Sequence, residues 1–101
     1  MRILDFAEQA LRDLNGIQEW QAQPGSGPAA RRRMATILRA SRALQDFPCR
    51  YPNGTFTGTR QMTVERHVVI YKVTPDTGDN RTAGDVLVVR VFGPAQRRDR
   101  L

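Results

Sequence analysis

Between residues 5 and 47 the apolar side chains recur at helical spacing. At about 100° per residue, Phe6, Ala10, Leu14 and Ile17 fall on one stripe flanked by Leu11 and Trp20, while Glu8, Arg12, Asp13 and Glu19 turn outward. Asp5, with Glu8 three residues on, has the form of a capping box. The pattern therefore predicts a short apolar strand over 1–4 and a first helix over 5–22. Gly16, inside this helix, costs about 1 kcal/mol relative to alanine and reads as a point of close packing against a neighbour. Gln23-Pro24-Gly25-Ser26-Gly27-Pro28 is a turn by every local signal. A second stripe of Ala30, Met34, Ile37, Leu38, Ser41 and Leu44 then predicts a second helix over 28–46, ending at Phe47-Pro48. Because the turn is short, the two helices form an antiparallel hairpin over 5–47.

Beyond Cys49 the period of the pattern falls to two. Pro52-Asn53-Gly54 is a turn, and the alternation of Thr55, Thr57, Thr59 and Thr63 predicts a strand. His67–Val73 and Asp85–Phe92 are the strongest strand signals; with the Gly- and Asp-rich stretch Thr74–Gly84 between them, they are predicted to pair antiparallel. Both runs are apolar on both faces, as in a sheet covered by the hairpin on one side and by a partner on the other. Residues 93–101 carry no apolar periodicity and read as a loosely docked basic tail. The fold class is α+β: an N-terminal α-helical hairpin packed on a small antiparallel β-sheet, with antiparallel strands over 55–92, in a single domain 1–101.

Charge sharpens this picture. The chain has 101 residues and a formal net charge of +6, carried by 15 arginines and one lysine, Lys72. Residues 24–50 hold six arginines against Asp46 alone, and residues 90–101 hold four against Asp99, whereas residues 51–89 are neutral. Arg31, Arg32, Arg39 and Arg42 collect on one side of the second helix, a basic face suited to an acidic partner.

One histidine and one cysteine offer no metal-ligand spacing, and Gly25-Ser26-Gly27 lacks the preceding strand and following lysine of a phosphate loop, so neither metal nor cofactor is expected. A single cysteine forms no internal disulfide and suits a reducing compartment. The acidic and basic residues among the first 13 exclude the apolar run of a signal peptide or membrane span, so a cytoplasmic protein without membrane contact is expected. Arg60, Arg66, His67, Tyr71 and Arg90 remain as side chains able to act on a phosphodiester without a metal. On a strand, His67 and Tyr71 share a face with Val69 between them.

The order of these features carries a family resemblance. Ala10-Leu11-Arg12-Asp13-Leu14-x-x-Ile17, Leu44-x-x-Phe47-Pro48, Gly58-Thr59-Arg60, Val69-Ile70-Tyr71-Lys72-Val73 and the last strand Val86–Phe92 together resemble the ParE/RelE superfamily of type II toxins over nearly the whole chain. The resemblance implies the same fold, a helical hairpin on an antiparallel sheet. RelE-like members are ribosome-dependent mRNA endonucleases that commonly place a Tyr or His-Tyr after the last strand, where this chain has Phe92-Gly93-Pro94. Its absence favours the ParE-like branch, which implies inhibition of DNA gyrase, growth arrest and no catalytic residue. ParE-like members often carry a His and Arg pair just after that strand; here Phe92 and, later, Arg97-Arg98 stand there instead.

The RelE-like alternative implies an enzyme acting on mRNA at the ribosome through Arg60, Arg66, His67 and Tyr71. Either branch implies a bacterial cytoplasmic protein in a hetero-oligomer with a cognate antitoxin. The candidate contacts for that antitoxin are Arg31, Arg39, Arg42, Arg90, Arg97 and Arg98. A third and less favoured reading is a basic nucleic-acid-binding module; with Phe6, Trp20 and Phe47 assigned to the core, it lacks aromatic residues for stacking bases.

Overall fold

A computed structural model describes residues 2–21, 27–94, 96, 98 and 101. The turn read at 23–26, the side chain of Trp20 and Arg97 lie outside the described residues. The elements are β1 (Leu4–Phe6), α1 (Glu8–Gln21), α2 (Gly27–Ala43), β2 (Arg60–Val64), β3 (His67–Thr74) and β4 (Asp85–Phe92). They build an α+β fold of two helices and one four-stranded sheet in the order β1-β4-β3-β2. The sheet is mixed: β2–β3 and β3–β4 are antiparallel, as expected, but β1 lies parallel to β4.

That parallel edge shifts the first helix. The Val88 carbonyl accepts the Ala7 N–H at 2.8 Å and the Ile3 carbonyl accepts the Val86 N–H at 2.9 Å, so sheet pairing holds residues 4–6 extended. Asp5 therefore stands in β1 and caps nothing, and α1 starts at Glu8, with the Ala7 carbonyl accepting the Leu11 N–H. Asp5 has a helix-initiating side chain, but its backbone is already paired in the sheet.

The two stripes meet on the helix-facing side of the sheet. Ala10 and Leu14 of α1, with Ile37 of α2 and Leu44 just beyond it, form a buried cluster with Met62, Val69, Tyr71, Val73, Val86, Val88 and Val91. The even spacing of inward residues on β4 breaks between Val88 and Val91. There β4 carries one residue more than β3, because Ile70 pairs with Arg90 and Tyr71 with Val88. This bulge keeps both valines inward and re-aims Arg90.

Several expected positions are corrected. Phe47 is not in the core: α2 ends at Ala43, three turn residues follow, and Phe47 is 50% exposed. Thr55–Thr59 is no strand, since Gly58 takes φ +77° and the Phe56 carbonyl accepts both the Thr59 N–H and hydroxyl, closing a turn. That turn carries Phe56 onto the outer face of the sheet, where it packs with Val68, Ile70, Val89 and Phe92. The outer face thus has a cover of its own chain where a partner was expected.

Arg2 ties the N-terminal edge to the rest. Its guanidinium donates to the carbonyls of Gln45, Asn80, Ala83 and Gly84, and its own carbonyl accepts from the Gln45 amide. Gly84 is needed in the same place, because a Cβ there would collide with the Thr74 carbonyl oxygen and the Pro75 ring. Gly84→Ala is expected to destabilise the protein by about 1–3 kcal/mol through overpacking, read as a lower urea midpoint at unchanged m-value. A midpoint equal to that of the wild type refutes this.

Candidate functional site

An open groove of about 870 Å³ lies where α1, α2, the β2–β3 turn and the segment after β4 converge. Gly16 and Ile17 of α1, with Gly93 and Pro94, supply its small and apolar surface, while Arg12, Arg33 and Arg66 supply charge. Gly16 corrects its expected role: a Cβ at this position would meet nothing within 4 Å. It packs against no neighbour and instead keeps the groove wall low.

The β2–β3 turn is the strained part of the rim. Val64 pairs with His67, leaving Glu65 and Arg66 as a two-residue hairpin loop with φ of +51° and +64°. Such a loop ordinarily uses Asn-Gly, and each larger residue there stores strain of about 1–2 kcal/mol. His67, only 4% exposed, donates its Nδ1 hydrogen to the Glu65 carbonyl at 2.7 Å.

Asp13 anchors the inner wall. Its carboxylate accepts from Arg90 Nε at 2.8 Å and Nη2 at 3.2 Å, from the Val91 N–H at 2.9 Å and from the Gln9 amide at 3.2 Å. The Asp13 and Arg90 side chains are only 6% and 18% exposed, and the guanidinium lies 4.5 Å from the Phe92 ring centroid. Because β1 ends at Phe6, the Val91 N–H has no strand partner on that side, and the Asp13 carboxylate takes the place of one.

The four residues of the nuclease alternative separate into two pairs. Arg66 and His67 stand at the β2–β3 turn, whereas Arg60 pairs with Tyr71 at the other end of the same hairpin, four strand residues or about 13 Å away. The Arg60 guanidinium is fully engaged. Nε and Nη2 grip both oxygens of Asp76 at 2.8 and 2.9 Å, and Nη1 donates to the carbonyl of Tyr51 at 2.6 Å. The Tyr71 hydroxyl, inside the core, donates to the Pro48 carbonyl at 2.9 Å. Loss of solvent pushes its pKa up to about 12, so it neither gives nor takes a proton readily near neutrality.

Asp76 titrates in the opposite sense, held below its ordinary 3.8 chiefly by the hydrogen bond from Arg60. A depressed folded-state pKa adds stability above the unfolded value, near 3.9, and that stability is lost as pH falls through the folded value. The stability difference between wild type and Asp76→Asn, read by urea unfolding, is expected to be constant from pH 7 to 5. It is expected to shrink progressively below about pH 4. A difference that stays constant down to pH 3 contradicts the assignment.

Of the candidate partner residues, Arg31, Arg39, Arg42 and Arg98 are exposed. Arg90 offers no free charge, being held by Asp13. Arg12, Arg33 and Glu65 line the groove; the sequence marked Arg12 only as an outward helix residue and carried no signal for Arg33 or Glu65. The two-residue gap between the β2 and β3 runs could have flagged Glu65-Arg66, but turn composition could not.

A two-helix hairpin on one face of a small mixed sheet, with this groove at its end, defines a small α+β protein. The family model described as "ParE toxin of type II toxin-antitoxin system, parDE" matches residues 4–97, and the chain belongs to that family. Among solved structures, the fold is similar to a chain of "Chromosomal ParDE TA system from P. aeruginosa". The TM-score is 0.73 at 18% identity, covering 92% of this chain and 96% of that one. Comparison with curated proteins gives no match. Among the described residues no helix is long and apolar enough to cross a membrane.

Proposed function

We propose that this chain arrests bacterial growth by inhibiting DNA gyrase through binding, and that a cognate antitoxin neutralises it in the cytoplasm. Membership of the ParE toxin family supports the toxin role. The observation that carries the choice of target is the separation of Arg60 and Tyr71 from Arg66 and His67: these four candidates do not converge on one point, as metal-independent RNA cleavage by them requires. The groove beside Pro94 supports the antitoxin part, because an apolar floor rimmed by Arg12, Arg33 and Arg66 suits a segment bearing apolar anchors and acidic residues.

Purified protein is expected to inhibit gyrase supercoiling and to leave mRNA intact in a translation extract. Cleaved message without loss of supercoiling overturns this reading in favour of a ribosome-dependent nuclease.

A further inference from the structure

The outward face of α2 has a composition that stability alone disfavours. The helix holds five arginines and no acidic residue, and four of them, Arg31, Arg32, Arg39 and Arg42, are exposed. Ion pairs among the described residues join Arg12 to Glu8, Arg60 to Asp76, Arg81 to Asp79 and Arg90 to Asp13, so none reaches α2. Arg39 and Arg42, three residues apart, repel, and Arg31 and Arg32 stand near the positive end of the helix dipole. The chain's preference for arginine over lysine does not account for the missing glutamates.

The placement of the four side chains is regular. At about 100° per residue, Arg31 and Arg42 form one row, Arg32 and Arg39 form a second about 80° round the axis, and the midline between them lies opposite the buried Ile37. Between the rows the outward positions are Pro28 and Ala35, small enough to leave a shallow strip flanked by guanidinium groups. The rows extend over about 16 Å of helix.

We propose that this face binds duplex DNA through its phosphate backbone, with α2 along the mouth of the major groove and one arginine row on each strand. A protein partner is the weaker fit, since the strip offers no aromatic or large aliphatic residue to bury. With the four guanidinium groups on phosphates, only Pro28 and Ala35 between the two rows are left to face the bases, and neither side chain can hydrogen-bond a base edge. A groove about 12 Å wide suits a helix body of about 10–12 Å bearing two arginine rows, whereas the deep, narrow major groove of duplex RNA does not admit it. The inference goes beyond toxin action and stands whichever target the toxin has.

The test is fluorescence anisotropy of the full chain with a 20-base-pair DNA duplex over 50–200 mM NaCl. Four phosphate contacts give a slope of log K against log salt near −3.6, or about a 150-fold loss of affinity over that range. The variant Arg31→Gln, Arg32→Gln, Arg39→Gln, Arg42→Gln is expected to lose about 3.6 units of slope and to melt no lower than wild type, because it removes repulsion. The single variants Arg39→Gln and Arg42→Gln are each expected to lose about one unit, which covers the case where the quadruple variant does not fold. A control with Arg50→Gln, Lys72→Gln, Arg81→Gln and Arg98→Gln carries the same net charge and is expected to keep the wild-type slope. Equal losses in the two quadruple variants overturn the proposal. So does equal competition by polyglutamate or by duplex RNA, the first indicating an acidic protein and the second a surface that does not distinguish the two duplexes.

Discussion

Asp13→Ala is expected to lower the stability of the protein by about 3–5 kcal/mol, the range for removing one partner of a buried ion pair. The loss has two parts. Arg90, 18% exposed, keeps its charge against a sheet that no longer answers it, and the Val91 N–H is left with neither strand nor carboxylate. Against a total of about 5–15 kcal/mol for a domain of this size, the variant should melt many degrees below wild type. The double variant Asp13→Leu, Arg90→Met is expected to recover part of the loss, because removing both charges is less costly than stranding one. Thermal melting followed by circular dichroism measures both. A single variant within 0.5 kcal/mol of wild type refutes the role given to this pair.

Arg60→Met is the second large effect, expected at about 2–4 kcal/mol, because it orphans the Asp76 carboxylate and the Tyr51 carbonyl together. Arg60→Lys should restore little of it, since a single ammonium reproduces neither the bidentate grip on Asp76 nor the simultaneous reach to Tyr51. The result also bears on activity. If Arg60 is structural, growth arrest, antitoxin binding and melting temperature decline together. A variant that melts like wild type and binds antitoxin, yet no longer arrests growth, shows instead that Arg60 acts on a target.

What could be read in the sequence follows from how local each feature is. The stripes of α1 and α2 were legible because their period is set within seven residues, and β3 and β4 because β-branched residues crowd into single runs. The place of Asp5 was not, because a strand partner more than 80 residues away outweighs a local cap. The bond between Asp13 and Arg90 was equally hidden: seen alone, Asp13 is an outward residue of an amphipathic helix, and only the bulge at Val89 turns Arg90 towards it. Glu65-Arg66 escaped notice because neither residue is a turn former. Phe56 lay in a stretch whose threonines alternate like a strand, although Gly58 already argued for a bend.

The parallel pairing of β1 with β4 also sets when the molecule can fold. Residues 3–7 find their partners across the sheet in residues 85–88, and Arg2 finds its carbonyls between Gln45 and Gly84. A nascent chain synthesised only as far as residue 84 has both helices and the β2–β3 hairpin, but it lacks the strand that α1 packs on and β1 pairs with. High sequence separation of this kind slows folding and defers the last cooperative step. The groove, built from α1 together with Gly93–Pro94, is complete only after β4 is made.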